Sequence, residues 1–199
     1  KFKALAGKVA LAAETEGLAD VEALKAVEVE GTTVETMIQE AIMTIGENIT
    51  IGRFDRLAVE NGAISSYIHM GGKMGVLVAF GFEKPETAEA PEFKTMAHDV
   101  AMQVAAAKPL CAVREDMEQS VIDHEMTIYR SQAAESGKPE AIQEKMALGR
   151  LEKFFKENTL VDQEFVKDPE KTISQYIAET SKQVGDKILA GSFFVSGSV

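Results

Sequence analysis

The sequence predicts an α+β fold, in which amphipathic helices pack on small antiparallel sheets. Three observations predict it. Apolar residues recur at helical spacing through most of the chain. Residues 49–82 instead alternate as β-strands do, with turn signals at Asn61-Gly62 and Gly71-Gly72. Residues 136–139 form so short a joint that the long helices on either side must fold back as an antiparallel hairpin.

Two helices are predicted before residue 46. Residues 1–16 and 33–45 carry apolar side chains every three or four positions, which is the pattern of a helix with one buried face. Gly17 ends the first run, and Gly46-Glu47-Asn48 ends the second.

Three β-like runs follow, at about 49–60, 64–70 and 74–82. Gly52 interrupts the alternation of the first run, as a β-bulge does. Asn61-Gly62 is a strong hairpin signal because both residues tolerate positive φ, so the residues alone predict that the first run pairs with the second. Gly71-Gly72 supplies a two-residue turn that pairs the second run with the third, antiparallel.

Alternation along 64–70 separates two faces of the strand. Ile64, Ile68 and Met70 share one face, and Tyr67 and His69 share the other. We expect the apolar face to point into the core, which leaves Tyr67 and His69 at a strand end beside an exposed turn. The histidine is then either an ordinary surface residue or a contact for a partner protein, since exposed aromatic residues favour interfaces.

The rest of the chain is mainly helical. An alanine-rich helix is predicted over 91–107, and Lys108-Pro109 ends it because proline disfavours helix in the residue before it. Two polar amphipathic helices follow, at about 114–135 and 139–157.

The joint between these helices has the residues of a helix end and a helix start. Gly137 suits the left-handed position after the first helix, and Pro139 suits the first turn of the second. A last helix over 173–184 and a strand over 187–196 complete the prediction.

Composition excludes several classes of partner. A chain of 199 residues, 45% of them hydrophobic, can bury a sizeable core in one domain or two small lobes. The net charge of −11 argues against nucleic acid, because neutralising phosphates requires clustered Lys and Arg, and against an anionic membrane surface. No long apolar run or signal peptide is present. The one cysteine, Cys111, rules out an internal disulfide and suits a reducing compartment, and its simplest role is a small buried apolar residue.

No metal site, cofactor or catalytic group is predicted. His69, His98 and His124 lack a second ligand at metal spacing. Gly71-Gly72-Lys73 superficially resembles a phosphate-binding loop, but Met74 stands where Ser or Thr would bind magnesium. The many acidic side chains are interpreted as solvated helix faces, so we expect a protein that is not an enzyme.

Several short motifs together resemble the elongation factor Ts family. Each is weak alone, but they keep the family's order and spacing over about residues 35–196. The motifs are Ile45-Gly46-Glu47-Asn48-Ile49, Ser66-Tyr67-Ile68-His69 with Gly75-Val76-Leu77-Val78, Ala101-Met102-Gln103-Val104-Ala105-Ala106, Glu135-Ser136-Gly137-Lys138-Pro139 with Glu144-Lys145-Met146, and Phe165-Val166-Lys167-Asp168.

The resemblance implies two pseudo-repeated lobes, each a small antiparallel sheet with helices, and a protruding helical hairpin in the second lobe. Residues 1–62 would be the remainder of an N-terminal core lobe, and 63–199 a C-terminal core lobe with the hairpin at about 114–157. It also implies that run 49–60 belongs to the first lobe's sheet, and that the strand at the chain end joins the second. We adopt this assignment in place of a hairpin through Asn61-Gly62.

The resemblance also implies a function. Members of the family bind elongation factor Tu and promote release of GDP from it, so the chain would be a guanine-nucleotide exchange factor in the bacterial cytoplasm or an organelle matrix, with no cofactor. Ile45 and Gly46 would meet the partner's nucleotide domain. The contacts with the partner's last β-barrel would be Tyr67, His69, Gly71 and Gly72.

Two further expectations qualify this function. The family's N-terminal ubiquitin-associated-like module, its Thr-Asp-Phe-Val segment and the helix after its last strand find no match here. If the molecule lacks them, we expect partner binding to survive better than exchange. The alternative is a non-catalytic α+β assembly or scaffold protein that uses the helical hairpin to form a homo- or hetero-oligomer.

Overall fold

A computed structural model describes residues 1–197; Ser198 and Val199, which the predicted C-terminal lobe includes, lie outside the described residues. Helices alternate with short strands that form small antiparallel sheets, which confirms the predicted α+β class. The chain divides into two compact units, one of residues 1–56 and one that begins at Leu57. Within the described range, every helix is too short or too polar to cross a bilayer.

The first unit is a small helical cluster. It contains the helices α1 (Phe2–Ala13), α2 (Val21–Lys25) and α3 (Val34–Ile45) and a ribbon of two-residue strands, β1 (Glu28–Val29) and β2 (Thr32–Thr33). Side-chain oxygens of Asp20 and Thr33 accept hydrogen bonds from backbone N–H groups in the first turns of α2 and α3. The buried core is Ala12, Leu24, Val29, Val34, Met37 and Ile38.

The strand predicted over 49–60 is not formed, so both expectations about its pairing are wrong. Ile49, Ile51 and Phe54 instead pack, partly buried, against the core of the first unit. A strand needs a hydrogen-bonding partner along its length, and among the described residues this unit offers only the ribbon of β1 and β2. The strand-like pattern of apolar residues therefore reflects side chains that are buried against the core of the first unit, not side chains of a sheet.

The second unit is built on a three-stranded antiparallel sheet in the order β3 (Gly62–His69), β4 (Met74–Gly81), β7 (Leu189–Gly197). The predicted pairing of β3 with β4 is confirmed, with His69 opposite Met74. The strand at the chain end joins the free edge of β4, as the resemblance implied.

Helix α4 (Pro91–Ala107) covers one face of this sheet. Val100, Ala101 and Val104 have no exposed surface, because alanines at this density let the helix approach the strands closely. The sheet contributes Val76, Val78 and Phe80 to the same core. Lys108 adopts a left-handed backbone (φ 47°) where the helix ends.

The two faces of β3 are the reverse of the prediction. Ile68 and Met70 are 65% and 67% exposed, whereas Tyr67 packs against the core. The reason is the partner strand: residues opposite each other across a sheet share a face, and Tyr67 lies opposite buried Val76. Because β3 carries apolar side chains on both faces, its own alternation could not decide which face is buried.

A helical hairpin follows α4. It consists of α5 (Gln119–Ala134) and α6 (Glu140–Asn158), which approach closely where Ala133 and Ala147 are fully buried. Arg130 on α5 forms an ion pair with Glu144 on α6, at 2.7 Å. The first helix was predicted to begin near residue 114, but Arg114–Asp116 is a separate 3-10 turn and Met117 has extended backbone.

The last segment closes the second unit on α4. A short hairpin, β5 (Glu164–Phe165) and β6 (Asp168–Thr172), precedes α7 (Ile173–Val184), and the sequence analysis missed these two strands. Asp186, just after α7, accepts hydrogen bonds from the Thr87 hydroxyl at 2.7 Å and the Lys84 N–H at 2.9 Å. This carboxylate therefore ties α7 to the segment that leaves β4.

Candidate protein-binding site

The loop between β3 and β4 is longer than predicted. His69 pairs with Met74, so four residues rather than two form the loop. Met70, Gly71 and Gly72 have φ of 49°, 69° and 107°, a region that residues with a Cβ rarely adopt. A Cβ at either glycine would meet no atom within 4 Å, so the backbone conformation, and not space, selects glycine here. The loop thus leaves Met70 in solvent, 67% exposed.

Beside this loop lies a group of three side chains, Tyr67, His69 and His98, which we call the Tyr67 cluster. The Tyr67 hydroxyl and the Nδ1 atom of His69 are 2.9 Å apart, within hydrogen-bond distance. The His98 ring, from α4, contacts the Tyr67 ring edge-on, with centroids 5.5 Å apart and an interplanar angle of 74°. The cluster therefore joins the end of β3 to the surface of α4.

His98 is the member that the sequence analysis missed. It lies 29 positions along the chain from His69, and no sequence pattern indicates which residue of α4 faces β3. Only the packing of the helix across the sheet brings the side chains together.

The end of β3 presents two chemically different faces. One carries the Tyr67 cluster, and the other carries exposed Ile64 and Ile68, with Met70 following in the loop. The structure thus brings together four of the predicted contact residues, Tyr67, His69, Gly71 and Gly72. The combination of aromatic rings and exposed apolar side chains beside a loop is typical of a protein-binding surface.

The other two predicted contact residues lie in the first unit. Ile45 is the last residue of α3 and is partly buried, and Gly46 ends the helix in a left-handed conformation with its N–H bonded to the Ile42 carbonyl at 2.8 Å. A shallow groove of about 310 Å³ between α1 and α3 extends to Ile45. Its walls include Leu5 and Met37.

The buried titratable groups hold the fold together. Asp99 accepts hydrogen bonds from Lys167 at 2.6 Å and from Tyr176 at 2.9 Å. Burial, followed by the bond to Asp99, raises the pKa of the Tyr176 hydroxyl, which keeps it protonated as the donor. Burial also raises the pKa of the Cys111 thiol and so leaves it a weak nucleophile.

The described side chains do not form a metal-binding site. Across residues 1–197, no three histidine, cysteine or acidic side chains gather closely enough to hold a metal ion.

Comparison with known proteins gives one consistent result. The family model described as Elongation factor TS matches residues 1–195. Elongation factor Ts of Clostridium perfringens (strain SM101) is 42% identical over 194 residues, which are 97% of this chain and 63% of that protein. Elongation factor Ts of Trichlorobacter lovleyi is 44% identical over 167 residues, or 83% of this chain and 54% of that protein. That of Clostridium kluyveri (strain NBRC 12016) is 45% identical over 161 residues, or 81% of this chain and 51% of that protein. The chain thus spans less than two thirds of the length of these relatives.

Proposed function

The chain belongs to the elongation factor Ts family, and we propose that it is a guanine-nucleotide exchange factor that binds elongation factor Tu and promotes GDP release during translation elongation. The observation that carries this proposal is the end of β3, where the Tyr67 cluster lies beside the Gly71-Gly72 loop and the exposed apolar face. The two units would correspond to the family's N-terminal and C-terminal core lobes. The compartment would be one in which translation occurs, the bacterial cytoplasm or an organelle matrix.

The proposed mechanism is differential binding and needs no catalytic group. If the chain binds nucleotide-free elongation factor Tu more tightly than the GDP-bound form, linkage requires that it lower the affinity for GDP by the same factor. A 10³-fold faster release corresponds to a barrier lowered by roughly 4 kcal/mol. Contacts that form only in the distorted partner can supply this energy.

The proposed contacts divide between the units. Ile45 and Gly46, at the end of α3, would meet the nucleotide domain of elongation factor Tu. Tyr67, His69 and the Gly71-Gly72 loop would meet its last β-barrel. Such contacts would make the chain not an enzyme but a protein that changes its partner's affinity for a ligand.

The test is GDP release from elongation factor Tu, followed by stopped-flow fluorescence of a labelled GDP. We expect the chain to accelerate release, and His69→Ala to weaken binding by about 1–2 kcal/mol, roughly fivefold to thirtyfold, and slow the exchange with it. His124→Ala, on α5, is the matched control because it removes an imidazole outside the proposed surface. The proposal is overturned if the parent chain neither binds nucleotide-free elongation factor Tu nor accelerates release.

A second candidate is assembly through the helical hairpin. Ile142 and Leu148 on α6 are 45% and 51% exposed, so the hairpin offers large apolar side chains to a second chain. Sedimentation of the chain with and without Leu148→Glu distinguishes the two functions. A change of mass with this variant, without any effect on GDP release, would favour assembly.

A further inference from the structure

We propose that Tyr67 is a positioning residue for His69: its hydroxyl donates a hydrogen bond to Nδ1 of the imidazole and leaves Nε2–H as the donor that the chain offers to its partner. This inference rests on the proposed function, because it concerns the same binding surface. It predicts that the partner supplies an acceptor oxygen, from a carboxylate or a backbone carbonyl, opposite His69.

The direction of the hydrogen bond follows from the chemistry of its two groups. The oxygen and Nδ1 are 2.9 Å apart. A phenolic hydroxyl can donate or accept, whereas a neutral imidazole has one N–H and one bare nitrogen. A phenol O–H is a stronger acid than an imidazole N–H, and the bare nitrogen of an imidazole is a stronger base than a phenol oxygen. The favoured arrangement is therefore the one in which the phenol donates. Nδ1 is then the acceptor, so the imidazole proton resides on Nε2.

Tyr67 is suited to this role because its own ring is held. It packs against the core of the second unit, lies opposite buried Val76, and is contacted edge-on by His98. Its ring and that of His69 have centroids 5.7 Å apart and are tilted by 31°. Because the core holds the Tyr67 ring, the hydrogen bond from its hydroxyl restricts the orientation of the exposed His69 ring.

His69 depends on Tyr67 for its orientation, because the described contacts of its ring are both with that tyrosine. It is the last residue of β3, is exposed, and precedes the loop of left-handed residues. An exposed side chain that must be ordered on binding loses affinity to the entropy of that ordering. A hydrogen bond that orders the imidazole beforehand, and selects one tautomer, removes part of this loss.

The test is a double-mutant cycle of Tyr67→Phe and His69→Ala, with affinity for nucleotide-free elongation factor Tu as the readout. Phenylalanine keeps the ring in the core and removes only the hydroxyl. We expect Tyr67→Phe to weaken binding about threefold to tenfold in the parent chain. In the His69→Ala background we expect less than a twofold effect, since the hydroxyl then has no imidazole to orient. Equal losses in both backgrounds would overturn the inference.

Tyr129→Phe, on α5, is the matched control for loss of a tyrosine hydroxyl and should leave binding unchanged. Nitrogen-15 spectra of the His69 ring in the free chain are the second measurement. We expect the Nε2–H tautomer in the parent and a different Nδ1 shift in Tyr67→Phe; identical spectra would overturn the inference.

The two measurements separate this inference from the proposed function. If the parent chain fails to bind elongation factor Tu, the proposed function is wrong. The ring spectra would still decide whether Tyr67 sets the tautomer of His69.

Discussion

At the scale of single residues, exposure decides what a substitution on β3 does. Ile68 lies on the outer face and is 65% exposed. We expect Ile68→Ala to change the free energy of unfolding by less than about 0.5 kcal/mol, because an exposed side chain leaves no cavity. Urea denaturation followed by circular dichroism measures it.

Ile173 gives the matched control for the same chemical change. It is fully buried in the core of the second unit. Ile173→Ala should cost about 2–5 kcal/mol through lost burial and the cavity that remains. Similar losses in the two variants would show that the outer face of β3 is covered in solution.

At the scale of elements, two glycines of the helical hairpin should respond in opposite directions to the same change. Gly137, at the tip, has φ of 66°, which a residue with a Cβ adopts only with strain. We expect Gly137→Ala to cost about 1 kcal/mol, and Gly137→Val at least as much because a β-branched side chain resists positive φ more. Melting temperatures of the variants test this expectation.

Gly149 lies within α6, and a Cβ there would meet nothing within 4 Å. Gly149→Ala should therefore stabilise the chain by about 0.5–1 kcal/mol, since alanine favours the helix and glycine does not. A loss of stability at Gly149, or none at Gly137, would contradict the hairpin as described.

The link between α7 and the segment after β4 should depend on pH. The Thr87 hydroxyl, with the N–H groups of Lys84 and Glu83, lowers the pKa of Asp186 below its ordinary value of 3.8. Because the folded chain binds this proton less readily than the unfolded chain, the stabilisation is present above about pH 4 and is lost as the pH falls through the lower, folded value.

The variant Asp186→Asn tests this dependence. It should be less stable than the parent at pH 7, and the difference should shrink below pH 4, as measured by urea denaturation across that range. A difference that stays constant from pH 7 to pH 3 would show that the charge of Asp186 contributes nothing.

At the scale of the whole molecule, the net charge of −11 should make stability depend on salt. Like charges repel in the compact state, and salt screens them over about 8–10 Å near physiological ionic strength. At pH 7 we expect sodium chloride to raise the melting temperature by roughly 1–4 °C, or less than about 1 kcal/mol. Near the isoelectric point of about 4.8 the increase should vanish. A decrease at pH 7 would mean that the surface ion pairs outweigh the net repulsion.

The sequence alone determined those helices and strands that are bounded by nearby prolines, capping residues or short loops. The alanine-rich helix α4 begins at Pro91 and ends two residues before Pro109, and α7 lies between its N-cap Thr172 and its C-cap Gly185. The pairing of β3 with β4 follows from a short loop between two apolar strands. In each case the decisive residues lie within a few positions of one another, so their backbone preferences and spacing suffice.

Only the tertiary structure decided which faces are buried and which distant residues meet. Residues 49–60 alternate like a strand but form none, and Ile49, Ile51 and Phe54 pack against the core of the first unit instead. Strand β3 has two apolar faces, and it is α4 and the opposite strand that bury Tyr67 and expose Ile68. The contact between Tyr67 and His98 depends on how that helix crosses the sheet. Burial and contact are properties of pairs of elements, so one strand's sequence cannot specify them.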